Sequence, residues 1–338
     1  MTLSRMSGAS PDALVERAQA GDPRALARLV SLIEDGSPEL RPIMKTLAPR
    51  AGKARVIGLT GAPGVGKSTI VNALVAAYRE RGARIGVIAV DPSSPFTGGA
   101  LLGDRIRMQD HALDNGVFIR SMASRGHLGG LAASTPQALR ALDVAGFDVI
   151  MIETVGVGQV EVEVASLADS VVVLVAPGMG DAIQAAKAGI LEIADLFIVN
   201  KADRPDAQHT VRDLRNMIAL AQPGPGSVGS PGSAGGWKPP IVSTVASSGE
   251  GIGELAARLD AHWSWLSESG ELERRRHARA RGEVAAIALG ALRERMAGLL
   301  GDSKLEVLAG RVAGGEIDPY TAADELVGAL THSRSRPV

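Results

Sequence analysis

The chain has 338 residues, 45% of them hydrophobic, which is enough for one large α/β core with appendages. Its formal net charge is −1, which gives no electrostatic pull toward nucleic acid or a membrane surface, and it has no cysteine, which excludes disulfides and thiolate metal sites. With no N-terminal apolar stretch or long hydrophobic span, the sequence predicts a cytoplasmic protein without a secretion signal or a membrane-crossing helix.

The first segment reads as helices. Ser10-Pro11-Asp12, Asp22-Pro23 and Ser37-Pro38 each place a capping side chain before a proline suited to the first helical position. Leu26, Leu29, Val30 and Ile33 then fall on one face, as do Leu40, Ile43, Met44 and Leu47. Residues 1–50 are therefore expected to form a small helical subdomain whose apolar stripes pack on the domain that follows.

A strand-like run, Arg55 to Thr60, leads into Gly61-Ala62-Pro63-Gly64-Val65-Gly66-Lys67-Ser68, followed by Thr69 and a helical pattern to Tyr78. This is G-x-x-x-x-G-K-S between a strand and a helix, the setting of a phosphate-binding loop. Its glycines let backbone N–H groups turn inward around phosphate oxygens, and the helix N-terminus adds its positive end. Lys67 is placed to reach the terminal phosphates and Ser68 to ligate Mg²⁺. A glycine-rich turn without a ligand would need neither the lysine nor the hydroxyl in that order.

The next strand, Arg84 to Val90, ends in Asp91-Pro-Ser-Ser-Pro-Phe-Thr-Gly-Gly99. Asp91 can head a loop that senses a γ-phosphate, or it can simply cap a turn. Asp104 and Arg105, after the glycines, read equally as site residues or as a solvated helix start. The apolar run Phe147 to Ile152 predicts a buried parallel strand ending in Glu153, with Gly156 three positions on. That spacing places a carboxylate near Mg²⁺ and a backbone N–H near the γ-phosphate. Most small GTPases have Asp at this point, and the longer arm of Glu153 suits contact through a bound water.

The strand Leu196 to Val199 runs into Asn200-Lys201-Ala202-Asp203 at its C-terminal end, where doubly wound sheets bind ligands. Asp203 can accept two hydrogen bonds from the N1 and N2 donors of guanine, a donor pair that adenine lacks. The expected nucleotide is GTP or GDP, with the stem of Lys201 along the base. Thr244-Val245-Ala246, after the strand-like run Pro240 to Ser243, reads as the loop that closes over the guanine. Between these strands, about residues 223–236, a Gly/Pro/Ser stretch has almost no side chain to bury and predicts a disordered insertion.

Helices resume from Gly251, with Ile252, Leu255, Leu259, Trp263 and Leu266 on one stripe and Val284, Ile287, Ala288, Leu292, Met296 and Leu299 on another. Asp318-Pro319 opens a last helix. The run Arg274-Arg275-Arg276 reads as a solvated face. The six histidines, at 111, 127, 209, 262, 277 and 332, show no ligand spacing; His127, in a glycine-rich loop, is left open between a site role and a surface one.

Together, Gly61 to Thr69, Val90-Asp-Pro-Ser-Ser-Pro95, Gly98 to Arg105, Arg120 to Gly130, Ile152 to Gln159 and Asn200 to Asp203 resemble the MeaB/ArgK family of P-loop GTPases, whose animal counterpart (MMAA) assists methylmalonyl-CoA mutase. The resemblance spans nearly the whole chain. It implies that Asp91, Asp104 and Glu153 surround Mg²⁺ and the γ-phosphate, and that Asp181, Gln184 and Lys187 belong to a mobile segment that signals nucleotide state to the mutase. From the residues alone, 181–190 is an ordinary amphipathic helix. The absence of cysteine counts against the related nickel-insertion GTPases, which carry a Cys/His motif.

The expected architecture is an α/β P-loop fold with a mostly parallel, doubly wound sheet over residues 51–250, flanked by the N-terminal helices and a C-terminal helical extension, 251–338, used for homodimerisation. The expected function is a Mg²⁺-dependent GTPase, switch and chaperone for an adenosylcobalamin-dependent acyl-CoA mutase, without nucleic-acid or membrane partners. A small-substrate or transport-linked phosphotransferase and a non-hydrolysing GTP-binding scaffold are the alternatives; N-K-A-D argues against ATP. No residue stands out in the sequence as the one that positions the attacking water.

Overall fold

The computed structural model describes residues 10–92, 111, 113–124, 134–154, 166–178, 193–221 and 236–332. The chain divides into two compact units, Met1–Arg279 and Ala280–Val338.

In the first unit, seven strands form one sheet: β1 (Arg55–Gly61), β2 (Ile85–Pro92), β3 (Val117–Ser124), β4 (Val149–Thr154), β5 (Ser170–Val175), β6 (Leu196–Asn200) and β7 (Ile241–Thr244). Their order is β3-β2-β4-β1-β5-β6-β7, and every pairing is parallel. The apolar runs of β4, β5 and β6 are buried along their whole length, as strands covered on both faces must be. One face packs on α4 (Lys67–Glu80) and α7 (Ile252–Glu268) through Ile70, Leu74, Leu255 and Leu259. The other packs on α1 (Pro11–Gln19), α2 (Pro23–Glu34), α3 (Leu40–Leu47), α5 (Thr135–Val144) and α6 (Ala207–Ala221) through Leu29, Ile33, Ile43, Leu142 and Leu214. The N-terminal helices thus share a core with the sheet.

Ser10 and Asp22 accept hydrogen bonds from the first-turn N–H groups of α1 and α2, with a proline at each helix start. Ser37 does not cap α3. That helix begins at Leu40, because the Leu40 N–H bonds back to the Ser37 carbonyl and closes a turn over Pro38 and Glu39.

At the N-terminal edge of the sheet a single device recurs. Asp148, Asp169 and Asp195 stand just before β4, β5 and β6, and each accepts a backbone N–H at or just before the neighbouring strand: Arg84 at 2.7 Å, Val56 at 3.0 Å and Val171 at 2.8 Å. These bonds pin strand register, whose slip by one residue would exchange the two faces.

The basic run overturns its expectation as a solvated face. From the start of α8 (Glu271–Ala313), Arg275 makes paired bonds to Asp195, both at 2.9 Å, while Arg276 and Arg279 reach Asp169 at 3.0 and 2.7 Å. Arg274 alone stays half-exposed, on Glu271. Asp169 is fully buried and Asp195 nearly so, hence each needs partners for its charge. Burial pushes the Asp169 carboxyl up, but the Arg279 charge and the Arg276 contacts outweigh it and hold it below the usual carboxylate range. Asp195 is lowered in the same way, burial being outweighed by the adjacent His262 and the bonds from Arg275.

In the second unit, α8 runs on to Ala313 and α9 covers Pro319–His332, with Asp318 accepting the Tyr320 and Thr321 N–H groups as its cap. Arg311 of α8 bonds Glu325 of α9 at 2.9 Å. Among the described residues only Leu308 and Ala322 are buried apolar side chains here, while Val284, Ile287, Leu289 and Leu292 lie exposed. The side chains of Met296 and Leu299 lie outside the described set.

Candidate functional site

The C-terminal ends of β1, β4 and β2 lie side by side, with Leu59 opposite Glu153 and Ala89 opposite Glu153, so the loop after β1 and the acidic end of β4 meet at one sheet edge. The Asp91 backbone is at that edge too, paired with Ala123 of β3. Its side chain lies outside the described residues, as do Asp104, Gly156, Asp181, Gln184, Lys187 and His127.

At two of the loop's glycines an added Cβ would also clash. Gly61 has φ +146°, and a Cβ there would sit 2.3 Å from the Leu174 carbonyl oxygen of β5. Gly66, the residue before α4, has φ +96°, and its Cβ would sit 2.5 Å from Asn200 Nδ2. No side chain caps α4, so its first N–H groups remain available to an anion. Lys67 is buried, and its Nζ donates to the carbonyls of Gly61 at 2.6 Å and Ala62 at 3.0 Å. Pro63, Gly64 and Thr69 are exposed. The Ser68 hydroxyl donates to Glu153 Oε1 at 2.6 Å, both residues being buried.

The second motif is braced on the first. Asn200 Nδ2 donates to the Val65 carbonyl at 2.8 Å, and Lys201 Nζ donates to the Gly64 carbonyl at 2.7 Å. Asn200 Oδ1 in turn accepts the Thr244 hydroxyl at 3.1 Å and the Ala246 N–H at 3.2 Å, which fixes the amide's orientation. Lys201 takes φ +59°, a conformation uncommon outside glycine and frequent where backbone strain serves a site. The Ala202 N–H bonds the Thr244 carbonyl at 3.0 Å, and the Val245 N–H bonds the Glu250 carbonyl at 3.0 Å, so the two loops are tied together and the second is folded on itself. Asp203 is exposed, free to meet a base from solvent.

The predicted residues Gly61 to Ser68, Glu153, Asn200, Lys201 and Thr244 to Ala246 therefore form one connected constellation. Asp143 went unread in the sequence: its carboxylate accepts the N–H groups of Gly52, Lys53 and Ala54 and fixes the chain entering β1. An aspartate on α5, some 90 positions from the N–H groups it accepts, carries no local signal for this.

Residues 26–299 match the family model of the methylmalonyl-CoA mutase-associated GTPase MeaB. A Pyrococcus horikoshii protein named as a GTPase is 47% identical over 313 residues, 93% of this chain and 96% of its own. The Escherichia coli GTPase ArgK is 35% identical over 269 residues, covering 77% of this chain and 78% of its own, and a Caenorhabditis elegans methylmalonic aciduria type A homolog is 32% identical over 281 residues, 78% and 68% respectively. Among solved structures, that of a LAO/AO transport system kinase superposes with a TM-score of 0.70 at 23% identity, over 98% of this chain and 100% of the other, a likeness of fold.

Proposed function

The chain belongs to the MeaB family of P-loop GTPases, and from that premise we propose that it is a Mg²⁺-dependent GTP switch and chaperone, acting in the cytoplasm as a homodimer on an adenosylcobalamin-dependent acyl-CoA mutase. The observation that supports this reading most directly is the bracing of Asn200 and Lys201 on the carbonyls of Val65 and Gly64, which joins the loop read as the base site to the loop read as the phosphate site. The family's name and the methylmalonic aciduria homolog support the choice of client.

Asp203 pairs with the guanine N1 and N2 donors, and Ala246 and its neighbours close over the base. The N–H groups of the 61–68 loop and of the α4 N-terminus surround the phosphates. Lys67, tied to two loop carbonyls, carries a fixed charge where negative charge develops on the transferring group. Ser68 and Glu153, buried and hydrogen-bonded to each other, supply the hard oxygen donors that magnesium selects, so these residues fit the metal. When bound, Mg²⁺ would neutralise charge on the phosphate oxygens. Asp91 and Asp104 complete the proposed set around metal and γ-phosphate, and Gly156 the γ-phosphate contact.

The test is steady-state turnover of GTP and ATP by the purified chain, with and without a cobalamin-dependent mutase from the same source, beside Lys67→Ala. GTP-specific phosphate release that the mutase accelerates, and that the variant loses, is the expected result. Phosphate transfer to a small acceptor in place of water would overturn it in favour of a phosphotransferase.

A further inference from the structure

The two halves of the guanine-facing surface come from different strands, Asn200 to Asp203 from β6 and Thr244 to Ala246 from β7, and their alignment has to be set somewhere. β6 and β7 pair with Phe197 opposite Ile241 and Asn200 opposite Thr244. These strands are short, five and four residues, so a fixed point at their base controls a position roughly 15 Å away at their top. That fixed point is visible. The Trp237 indole Nε1–H donates to the main-chain carbonyl of Asp195 at 2.8 Å, immediately before β6.

Asp195 is itself held from several sides. Its N–H bonds the Val171 carbonyl at 2.9 Å, its carboxylate accepts the Val171 N–H and Arg275, and His262 stands beside it at 3.4 Å. Trp237 is further wedged against the His262 and Trp265 rings, with centroids 4.7 and 5.7 Å away. From Trp237 the chain reaches β7 through Lys238, Pro239 and Pro240. Two consecutive prolines have fixed φ and hold an extended spacer, so the position of the indole is transmitted to Ile241 with little slack. The Pro240 carbonyl then accepts the Phe197 N–H at 2.9 Å, the first rung of the β6–β7 ladder.

We infer that Trp237 is a positioning residue for guanine recognition: its bond to the Asp195 carbonyl, carried through the Pro239-Pro240 spacer, sets the β6–β7 register that brings Thr244 and Ala246 onto Asn200. The inference rests on the reading of these two loops as the base site. It assigns a specificity role to a side chain at the opposite edge of the sheet, one that touches no nucleotide.

Trp237→Phe keeps the ring contacts and removes the N–H donor. Its KM for GTP rises about fivefold, the scale of one neutral hydrogen bond, while kcat and the inhibition constant of ATP as a competitor stay at the wild-type values. A loss of general stability would instead lower kcat or weaken GTP and ATP together. A second variant, Pro239→Gly with Pro240→Gly, leaves the indole anchored and slackens only the spacer, and it raises the GTP KM in the same direction. Wild-type GTP KM in this double variant, or an equal weakening of GTP and of ATP as a competitor in either variant, overturns the inference. Asp203→Asn, assayed beside them with xanthosine triphosphate, separates the two layers. Failure of that variant to shift preference toward xanthine removes the base-site reading itself, whereas a shift there with no change in the Trp237 and proline variants removes only the role of Trp237.

Discussion

The Ser68 hydroxyl and the Glu153 carboxylate are 2.6 Å apart, a bond between the first turn of α4 and the last residues of β4 that joins side chains 85 positions apart in sequence. The longer arm of glutamate here reaches the serine that the phosphate-loop pattern reserves for a metal. Replacing Glu153 with Gln keeps an acceptor for the hydroxyl and removes the charge. The expected outcome is a GTP turnover lower by about 10²- to 10³-fold, the scale of losing one preorganised electrostatic contact, and a higher Mg²⁺ concentration for half-maximal rate. A magnesium titration of both proteins checks it, and wild-type dependence in the variant would remove Glu153 from the metal site.

Gly66→Ala tests the bracing between the two motifs. The residue would have to hold φ +96°, and its Cβ would stand 2.5 Å from Asn200 Nδ2, within an amide that bonds on both sides. Either the loop or the amide must give way. The fold should survive, since this strain falls at one loop, at a cost of about 1 to 3 kcal/mol. Nucleotide affinity should fall at least tenfold, as measured by equilibrium binding of GDP, with a melting temperature only a few degrees lower.

How much of this was legible in the sequence differs by residue, for a physical reason. The 61–68 and 200–203 segments could be picked out because each is a short contiguous pattern at the end of a strand, although their side chains meet partners far away in sequence. Of the apolar stripe Ile252, Leu255, Leu259, Trp263 and Leu266, readable because helical periodicity is local as well, all but the half-buried Trp263 are buried. Arg275 and Arg276 were not, because a run of arginines looks the same whether it faces water or a carboxylate. Their partners, Asp195 and Asp169, lie 80 and 107 positions away and are brought to them only by the parallel crossovers. Thr244 read as part of a loop over the base, but its bond to Asn200 depends on the β6–β7 register, which no single strand encodes.

The Asp169 cluster sets a pH dependence whose sign follows from its direction. Its folded carboxyl titrates below the ordinary value, so the stabilisation is complete above about pH 4, the unfolded value, and is lost as pH falls through the lower folded one. Asp169→Asn leaves Arg276 and Arg279 with their shared charge partner gone, which should cost about 3 to 5 kcal/mol. Thermal melts from pH 7 to pH 3 are expected to show a variant less stable at neutrality whose deficit shrinks toward acid. A constant gap across that range would show that the charge is not what Asp169 contributes.

The exposed apolar surface of α8 calls for a partner. Residues 284–292, Val-Ala-Ala-Ile-Ala-Leu-Gly-Ala-Leu, contain no polar side chain, and Val284, Ile287, Leu289 and Leu292 are between 51% and 68% exposed in the single chain. A helix apolar all round is stable in water only when covered. The homodimer proposed above would supply that cover from a second copy of the same helix. Ile287→Asp with Leu292→Asp places two charges where desolvation would be required, and it should convert a dimer into a monomer in sedimentation equilibrium. Because neither residue belongs to the constellation of Gly61 to Ser68, Glu153, Asn200, Lys201 and Thr244 to Ala246, intrinsic GTP turnover per chain should stay close to that of wild type. Wild-type chain that sediments as a monomer with and without nucleotide would leave this face to a different partner and withdraw the homodimer.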